Sequence, residues 1–322
     1  MYRLGKGYRL DVRLDCKENK NINQQKIDQM TYPEQVERLI LISKNKPLLP
    51  ENFIPWGLPA GADDQFLPAQ LVSLHGLPEY ELLSDLQKRD LERHEVVQAM
   101  YSYGWTEALF CLFMNRYILS LKTHTVEYRF LLRELIEEFR HQEMFNKAIQ
   151  QLNGDALLPG PVHKFLGLST VRFFPPDVVF ISCLAVEMMA DQYGDQLRKS
   201  PAIYPVLKKV SELHNIEEAR HILFTKMFLK KYTSKAGFIK RCVYSYIILM
   251  NIYFMRSLYV KQEIFERIGC RNSKELYNKA FRNYKKKFGA HCLDDIKSFV
   301  EEINGFNWAT RWAWRVFLKT SI

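Results

Sequence analysis

The sequence predicts an all-α chain, a helical bundle extended by further helices at its C-terminal end, on three observations. Only 14 glycines and 13 prolines interrupt 322 residues, and several of them cluster between Lys46 and Gly76, so the remaining stretches run long without breakers. Apolar residues then recur at helical spacing, and no alternating apolar–polar run between breakers competes as a strand. Finally, two segments of one five-residue pattern, each containing Glu-x-x-His, stand about 80 residues apart on stretches of helical period.

In chain order, residues 1–30 are polar and charged and form an N-terminal arm. A short helix is expected over 33–43. The segment that follows holds Pro47, Pro50, Pro55, Pro59 and Pro68 and reads as an extended surface loop. One helix or a helix pair spans 79–121, and another spans 125–152, ending before Asn153-Gly154. A loop with Pro159-Gly160-Pro161 leads to Pro175-Pro176-Asp177, a helix start, since proline suits the first turn and an acid complements the N-terminal dipole. That helix runs to about 199. Ser200-Pro201 reads as the cap and first residue of the next, to about 232. Three or so further helices fill 237–322. Residues 31–322 form a single domain, with the core bundle over about 79–232.

With 47% hydrophobic and 13% aromatic residues, the chain can bury a large core. Its formal charge of +10 permits nucleic acid, an anionic membrane or an acidic protein as partner. A solvated basic surface is the plainer explanation. No nucleic-acid recognition motif is visible. The most apolar run, 243–255, is too short for a membrane span, which needs about 20 residues, and reads as a buried core helix. The six cysteines include no Cys-x-x-Cys pair; Cys111 and Cys183 sit in apolar runs as buried thiols, consistent with a reducing, cytoplasmic setting. The N-terminal stretch lacks the apolar core of a signal peptide.

The chemistry lies in the repeated pattern. Glu137-Glu138-Phe139-Arg140-His141 and Glu217-Glu218-Ala219-Arg220-His221 each set a carboxylate and an imidazole three residues apart, on one helix face, within reach of one metal. One Glu-x-x-His arises often by chance; two on separate helices suggest an internal duplication. A carboxylate-bridged bundle needs one further glutamate from each of two other helices. Glu107 and Glu187 fit, because each stands in the middle of an apolar face, where an unpaired carboxylate is too costly to bury. His214, Glu218 and His221 fall on one stripe at i, i+4 and i+7. The i, i+3 register selects Glu138 and Glu218 as metal-facing and leaves Glu137 and Glu217 as surface residues of salt-bridged helices. His75, His94, His124, His163 and His291 lack partners at ligand spacing.

Four carboxylates and three imidazoles without thiolate suit a pair of iron or manganese ions better than zinc, which prefers fewer carboxylates and four-coordination. The carboxylates of the Glu-x-x-His pairs are expected to bridge the two ions. A helical interaction module with a salt-bridged core is the non-metal alternative, disfavoured by the cost of unpaired buried carboxylates.

At these residues the chain resembles the ferritin-like di-iron N-oxygenases typified by p-aminobenzoate N-oxygenase. That family's pattern is Glu, Glu-x-x-His, Glu, His-x-x-x-Glu-x-x-His, met here by Glu107, by Glu138 with His141, by Glu187, and by His214 with Glu218 and His221. The resemblance covers about residues 79–230. It implies a ferritin-like bundle, two Fe ions, O2 as co-substrate and an external electron donor, a reductase or ferredoxin-type protein. It further implies oxidation of an amine nitrogen to the hydroxylamine and on to nitroso or nitro, within a biosynthetic pathway. The implied partners are a small amine substrate, free or bound to a carrier protein, and a second copy of the chain in a homodimer. The basic run 282–287 is one docking candidate for an acidic carrier or donor. Two other readings stay open: a di-iron C-hydroxylase or desaturase of an acyl or amino-acid substrate, and a ferroxidase or storage protein, the latter disfavoured by His214 and by the C-terminal extension.

Overall fold

The computed structural model describes residues 30–45 and 47–318, and the expected arm, residues 1–30, lies outside them but for Met30. Among the described residues there are thirteen helices and no strand. Four long helices make the bundle: α4 (Asp85–Ile118), α5 (Val126–Gln151), α7 (Pro176–Lys199) and α8 (Pro205–Thr233). They form two hairpins, α4 with α5 and α7 with α8, joined through α5 against α8 and α4 against α7.

Local chemistry sets the starts of these helices. Ser84 and Gln87 close a capping box on α4: the Gln87 amide donates to Ser84 Oγ (3.3 Å), and the Ser84 amide donates to Gln87 Oε1 (3.1 Å). Thr125 caps α5 through the Tyr128 amide. Pro176 and Pro205 stand in the first turns of α7 and α8, where a missing N–H costs nothing. α7 starts within one residue of expectation, but α8 starts at Pro205, not at Pro201. The intervening backbone is engaged elsewhere: the Gln65 amide donates to the Ala202 carbonyl and the Tyr204 amide to the Gln65 carbonyl, each at 2.9 Å. This bridge pins the Pro-rich loop to the α7–α8 turn. Arg89 fastens the loop again, donating to the carbonyls of Gly61, Ala62 and Asp64. Within that loop lies a one-turn helix, α2 (Pro50–Phe53); a second, α3 (Pro78–Glu81), precedes α4 as the first of the expected pair over 79–121, while α1 (Tyr32–Asn45) packs along α5 and reaches α8.

The expected loop after Asn153-Gly154 contains a helix that spacing did not show, α6 (Pro161–Phe173). It buries only Gly167 and Val171, so it has almost no apolar period to detect. A side chain at Gly167 would collide with Leu109 and Trp105, so the absent Cβ lets α6 lie close on α4. Five helices, rather than about three, follow the bundle: α9 (Phe238–Tyr259), α10 (Gln262–Arg267), α11 (Ser273–His291), α12 (Asp294–Glu302) and α13 (Trp308–Leu318). α9 carries the apolar run 243–255 and packs on α7 and α4. It is buried on one face only, through Tyr244, Ile248, Leu249, Ile252 and Met255; Val243, Tyr246, Met250 and Tyr253 are exposed. No helix among the described residues is long and apolar enough to cross a membrane.

One end of the bundle is closed by an aromatic cluster drawn from all four helices. Phe180 of α7 meets Phe110, Phe113 and Tyr117 of α4 and Phe224 and Phe228 of α8, and Phe130 of α5 stacks on Phe224 with ring centroids 4.0 Å apart. Edge-on contacts dominate around Phe180, the arrangement that ring quadrupoles favour. Phe180 is fully buried. Phe180→Ala should therefore lower stability by about 3–5 kcal/mol, read from denaturant unfolding of the purified protein.

Candidate metal centre

The four bundle helices bring all seven sequence-selected residues into one buried space. Glu107 comes from α4, Glu138 and His141 from α5, Glu187 from α7, and His214, Glu218 and His221 from α8. With Glu134 of α5 as an eighth, their donor atoms fall into three overlapping groups able to hold an ion, with the atoms of each group within 4.8 Å of one another. One is Glu107, His141, His214 and Glu218; another is Glu134, Glu138 and His221; the third is Glu138, Glu187 and Glu218. His214 Nε2 stands 3.2 Å from Glu107 Oε1 and 3.3 Å from Glu218 Oε1. His141 Nδ1 lies 3.3 Å from Glu218 Oε1, and His221 Nδ1 lies 3.1 Å from Glu138 Oε1.

Sequence reasoning misplaced Glu137 and Glu217. Both are buried, and each serves the other motif. Glu217 Oε2 accepts from His141 Nε2 at 2.9 Å, and Glu137 Oε2 accepts from His221 Nε2 at 2.8 Å. The arginines cross in the same way: Arg140 donates to Glu217 at 2.7 Å, and Arg220 pairs with Glu137 at 3.0 Å. Ser43 of α1 adds a 2.5 Å hydrogen bond to Glu137. A carboxylate on Nε2 keeps a proton there and turns Nδ1 inward, where its lone pair becomes available to a cation that displaces the second proton. Accordingly, Nδ1 of His141 and of His221 has no hydrogen-bond partner. The adjacency of Glu137 to Glu138 concealed this, since one helix turn cannot show that a partner helix lies 100° round from the metal face.

Glu134 was also missed. It lies one turn before Glu138 on α5, is buried, and neither of its carboxylate oxygens has a hydrogen-bond partner. Flanked by Leu131 and Leu135, it could have been found by the argument that found Glu107. Both oxygens of Glu187, Glu107 Oε2, Glu138 Oε2 and Glu218 Oε2 are unpartnered as well. Such a concentration of unsatisfied buried carboxylate is unfavourable unless a cation joins it.

Electrostatics carries the same message. Burial, together with the neighbouring carboxylates, holds Glu107, Glu134 and Glu187 well above the ordinary carboxylate range. Burial pushes His214 down to about 4, leaving a neutral imidazole. Burial opposes charge on His141 and His221 too, but the surrounding carboxylates override it and raise both. Such shifts are those of a cluster in which protons would otherwise take the place that cations could fill.

Residues 29–304 match the p-aminobenzoate N-oxygenase AurF family. The chain belongs to this family. Over 123 residues it is also 30% identical to the uncharacterized protein Rv0885 of Mycobacterium tuberculosis and to the uncharacterized protein Mb0909 of Mycobacterium bovis. Those matches cover 37% of this chain and 36% of each relative, so the chain spans about a third of the length of the curated relatives it matches. The AurF family is an oxygenase family, and the fold, with the buried carboxylate–imidazole cluster, agrees with it.

Glu137→Gln and Glu217→Gln each remove the charge that fixes one imidazole; metal affinity should fall about 10–100-fold in each, measured by competition with a chelating dye. Because raised carboxyls and imidazoles must lose protons as an ion enters, affinity should rise with pH from 5 to 8. Uptake should release protons into a weakly buffered solution, detectable with a pH indicator.

Proposed function

We propose that this chain is a di-iron N-oxygenase that uses O2 to oxidise an amine nitrogen. The observation that carries this reading is the overlap of the three donor groups. Glu138 and Glu218 each belong to two of them, as carboxylates shared between two ions would. Glu107, His141 and His214 would hold one iron with Glu218. Glu138 and His221, with Glu187, would hold the other. Glu134 lies on this second side and adds a carboxylate that the family pattern does not include. His214 separates this centre from bundles with two histidines, and it sits against Tyr103 and Phe145 at the inner end of a cavity.

Iron, when bound and reduced, supplies O2 activation and the oxidising power. The overall step balances as amine, O2, two electrons and two protons giving hydroxylamine and water, with the electrons coming from an external reductase or ferredoxin-type donor. The chain's residues fix the geometry and the charge. The crossed Glu137 and Glu217 pairs orient His221 and His141, and the four carboxylates of the family set neutralise two divalent ions without surplus charge. With Glu134 ionised as a fifth, the ligand charge exceeds that of two divalent ions by one, which favours the oxidised over the reduced pair.

The basic run 282–287 serves a docking role only in part. Lys287 donates to the Ala69 and Val72 carbonyls, and Lys285 donates to the Val316 carbonyl, so these two side chains tie α11 to neighbouring segments. Arg282 and Lys286 remain exposed and available to an acidic carrier or donor.

The protein should hold about two irons per chain by metal analysis, and His141→Ala or His221→Ala should each lose about one. Full iron content in both variants would remove the assignment. Glu134→Gln should weaken the second iron selectively in an Fe(II) titration; an unchanged titration would show Glu134 to be outside the ligand set. Turnover of an arylamine should need O2 and reductant and yield the hydroxylamine or nitro product by mass spectrometry, whereas C-hydroxylation of the same compound would favour the alternative.

A further inference from the structure

A cavity of about 660 Å3 lies among α4, α6, α7 and α9, within the size range of small-molecule sites. Its inner end is the centre itself, through Glu107, Glu138, Glu187, His214 and Glu218. Its rim is apolar and open, with Val162, Leu166, Phe174, Tyr246, Met250 and Tyr253 exposed. Between the two ends the wall is aliphatic and aromatic.

Among the described residues, no lysine or arginine lines this cavity. Most of its polar side chains are already engaged, and the hydroxyl of Tyr103, buried at the inner end without a hydrogen-bond partner, offers one neutral donor. Thr106 donates to the Ser102 and Tyr103 carbonyls, Thr170 to Leu166, Ser182 to Val178 and Ser257 to Phe254. Asn251 donates to the Ile247 carbonyl. Each of these serine and threonine hydroxyls has one proton to give and has given it to its own helix. His163 hydrogen-bonds Ser257 at 2.7 Å, and burial lowers it below its ordinary value, so it supplies no cation at neutral pH. Among the described residues, the only charged groups on the wall are the carboxylates of the centre. With two divalent ions already neutralised by the four family carboxylates, a substrate carboxylate held on this wall would lose its hydration and meet neither a positive side chain nor a set of donors.

We propose that the cavity binds an amine carried on an uncharged apolar body, an aryl or alkyl chain whose acid end, where it has one, is masked as an ester, thioester or amide. A free aminoaryl carboxylate is excluded. The amine rests on the N-oxygenase reading above; the apolar body rests on the lining alone. An arylamine nitrogen is already neutral at pH 7 and enters without shedding a proton. The open apolar rim lets a longer chain, or a thioester tether, run outward between α6 and α9.

The test uses the iron-loaded full chain and four probes: 4-aminobenzoate, its butyl ester, its pantetheine thioester, and butylbenzene, which has no nitrogen. Binding is read from intrinsic fluorescence and from ligand-induced thermal shifts, and products by mass spectrometry. The ester should bind at least tenfold more tightly than the free acid, and butylbenzene should bind as well. Ile247→Trp fills the wall on α9 away from the metal ligands; it should weaken ester binding at least tenfold while keeping its iron. Met250→Trp at the exposed rim is a second variant for the same loss, in case Ile247→Trp lowers stability. Acid binding equal to or tighter than ester binding overturns the proposal. So does unchanged ester affinity in both tryptophan variants. Thioester binding tighter than ester binding points to a tethered substrate, and weaker binding to a free one, and both support the uncharged body. An ester that binds in the cavity but is never oxidised at nitrogen supports the apolar occupant and overturns the N-oxygenase reading instead.

Discussion

Carboxylates cannot be taken out of water without positive charge beside them, and the centre of this bundle is organised by that constraint. Seven glutamates, at 107, 134, 137, 138, 187, 217 and 218, meet among four helices. Two of them, Glu137 and Glu217, are answered by protein cations, since each receives an arginine and a histidine from the opposite motif. The other five turn oxygens inward that find no hydrogen-bond donor. Protein cations answer the outer layer, and the inner layer presents groups that could hold an ion.

The crossing of the two motifs also settles mechanical questions. α5 and α8 touch over a limited length, yet two histidine–carboxylate bonds and two arginine–carboxylate pairs join them at the level of the centre. Each bond fixes a ring on one helix by a group on the other, so ligand orientation depends on the helices staying in register. The aromatic cluster around Phe180 holds that register from one side of the centre. Rigid packing there and an open apolar cavity beside α9 give the two sides of the bundle different tasks, one structural and one receptive.

The additional helices are what give the cavity its character. A bare four-helix bundle would expose Glu107 and Glu187 toward solvent; here α6 and α9 cover that face and build a wall from Val171, Ile247 and Phe254. Covering the centre lowers the local dielectric, which strengthens every charge interaction inside and raises the cost of admitting a second charge. Lys240 and Tyr244 of α9 both reach Asp177 in the first turn of α7, so the cover is anchored where the helix dipole is positive and the acid favourable. Trp314 of α13 fastens α9 from behind through Ser245.

By itself the sequence determined the helical class, the four bundle helices and the choice of seven carboxylate and imidazole residues that the packing gathers in one buried space, because these are written in local periodicity. Glu-x-x-His shares a face by helix geometry alone, and a lone acid in an apolar stripe marks itself by its cost, as Glu107 and Glu187 did. The same reading failed where the deciding neighbour lay on another helix. Glu137 and Glu217 look solvent-facing from their own turns, and only the packing of α5 against α8 buries them. Glu134 had a legible signal in Leu131 and Leu135, yet its place beside His221 is set across the bundle. α6 buries too little to leave a period, and the start of α8 moved because its first residues pair with Gln65, far away in the chain. Tertiary structure also decided the lining of the cavity, since no spacing rule shows which of the chain's 46 lysines and arginines stay away from it.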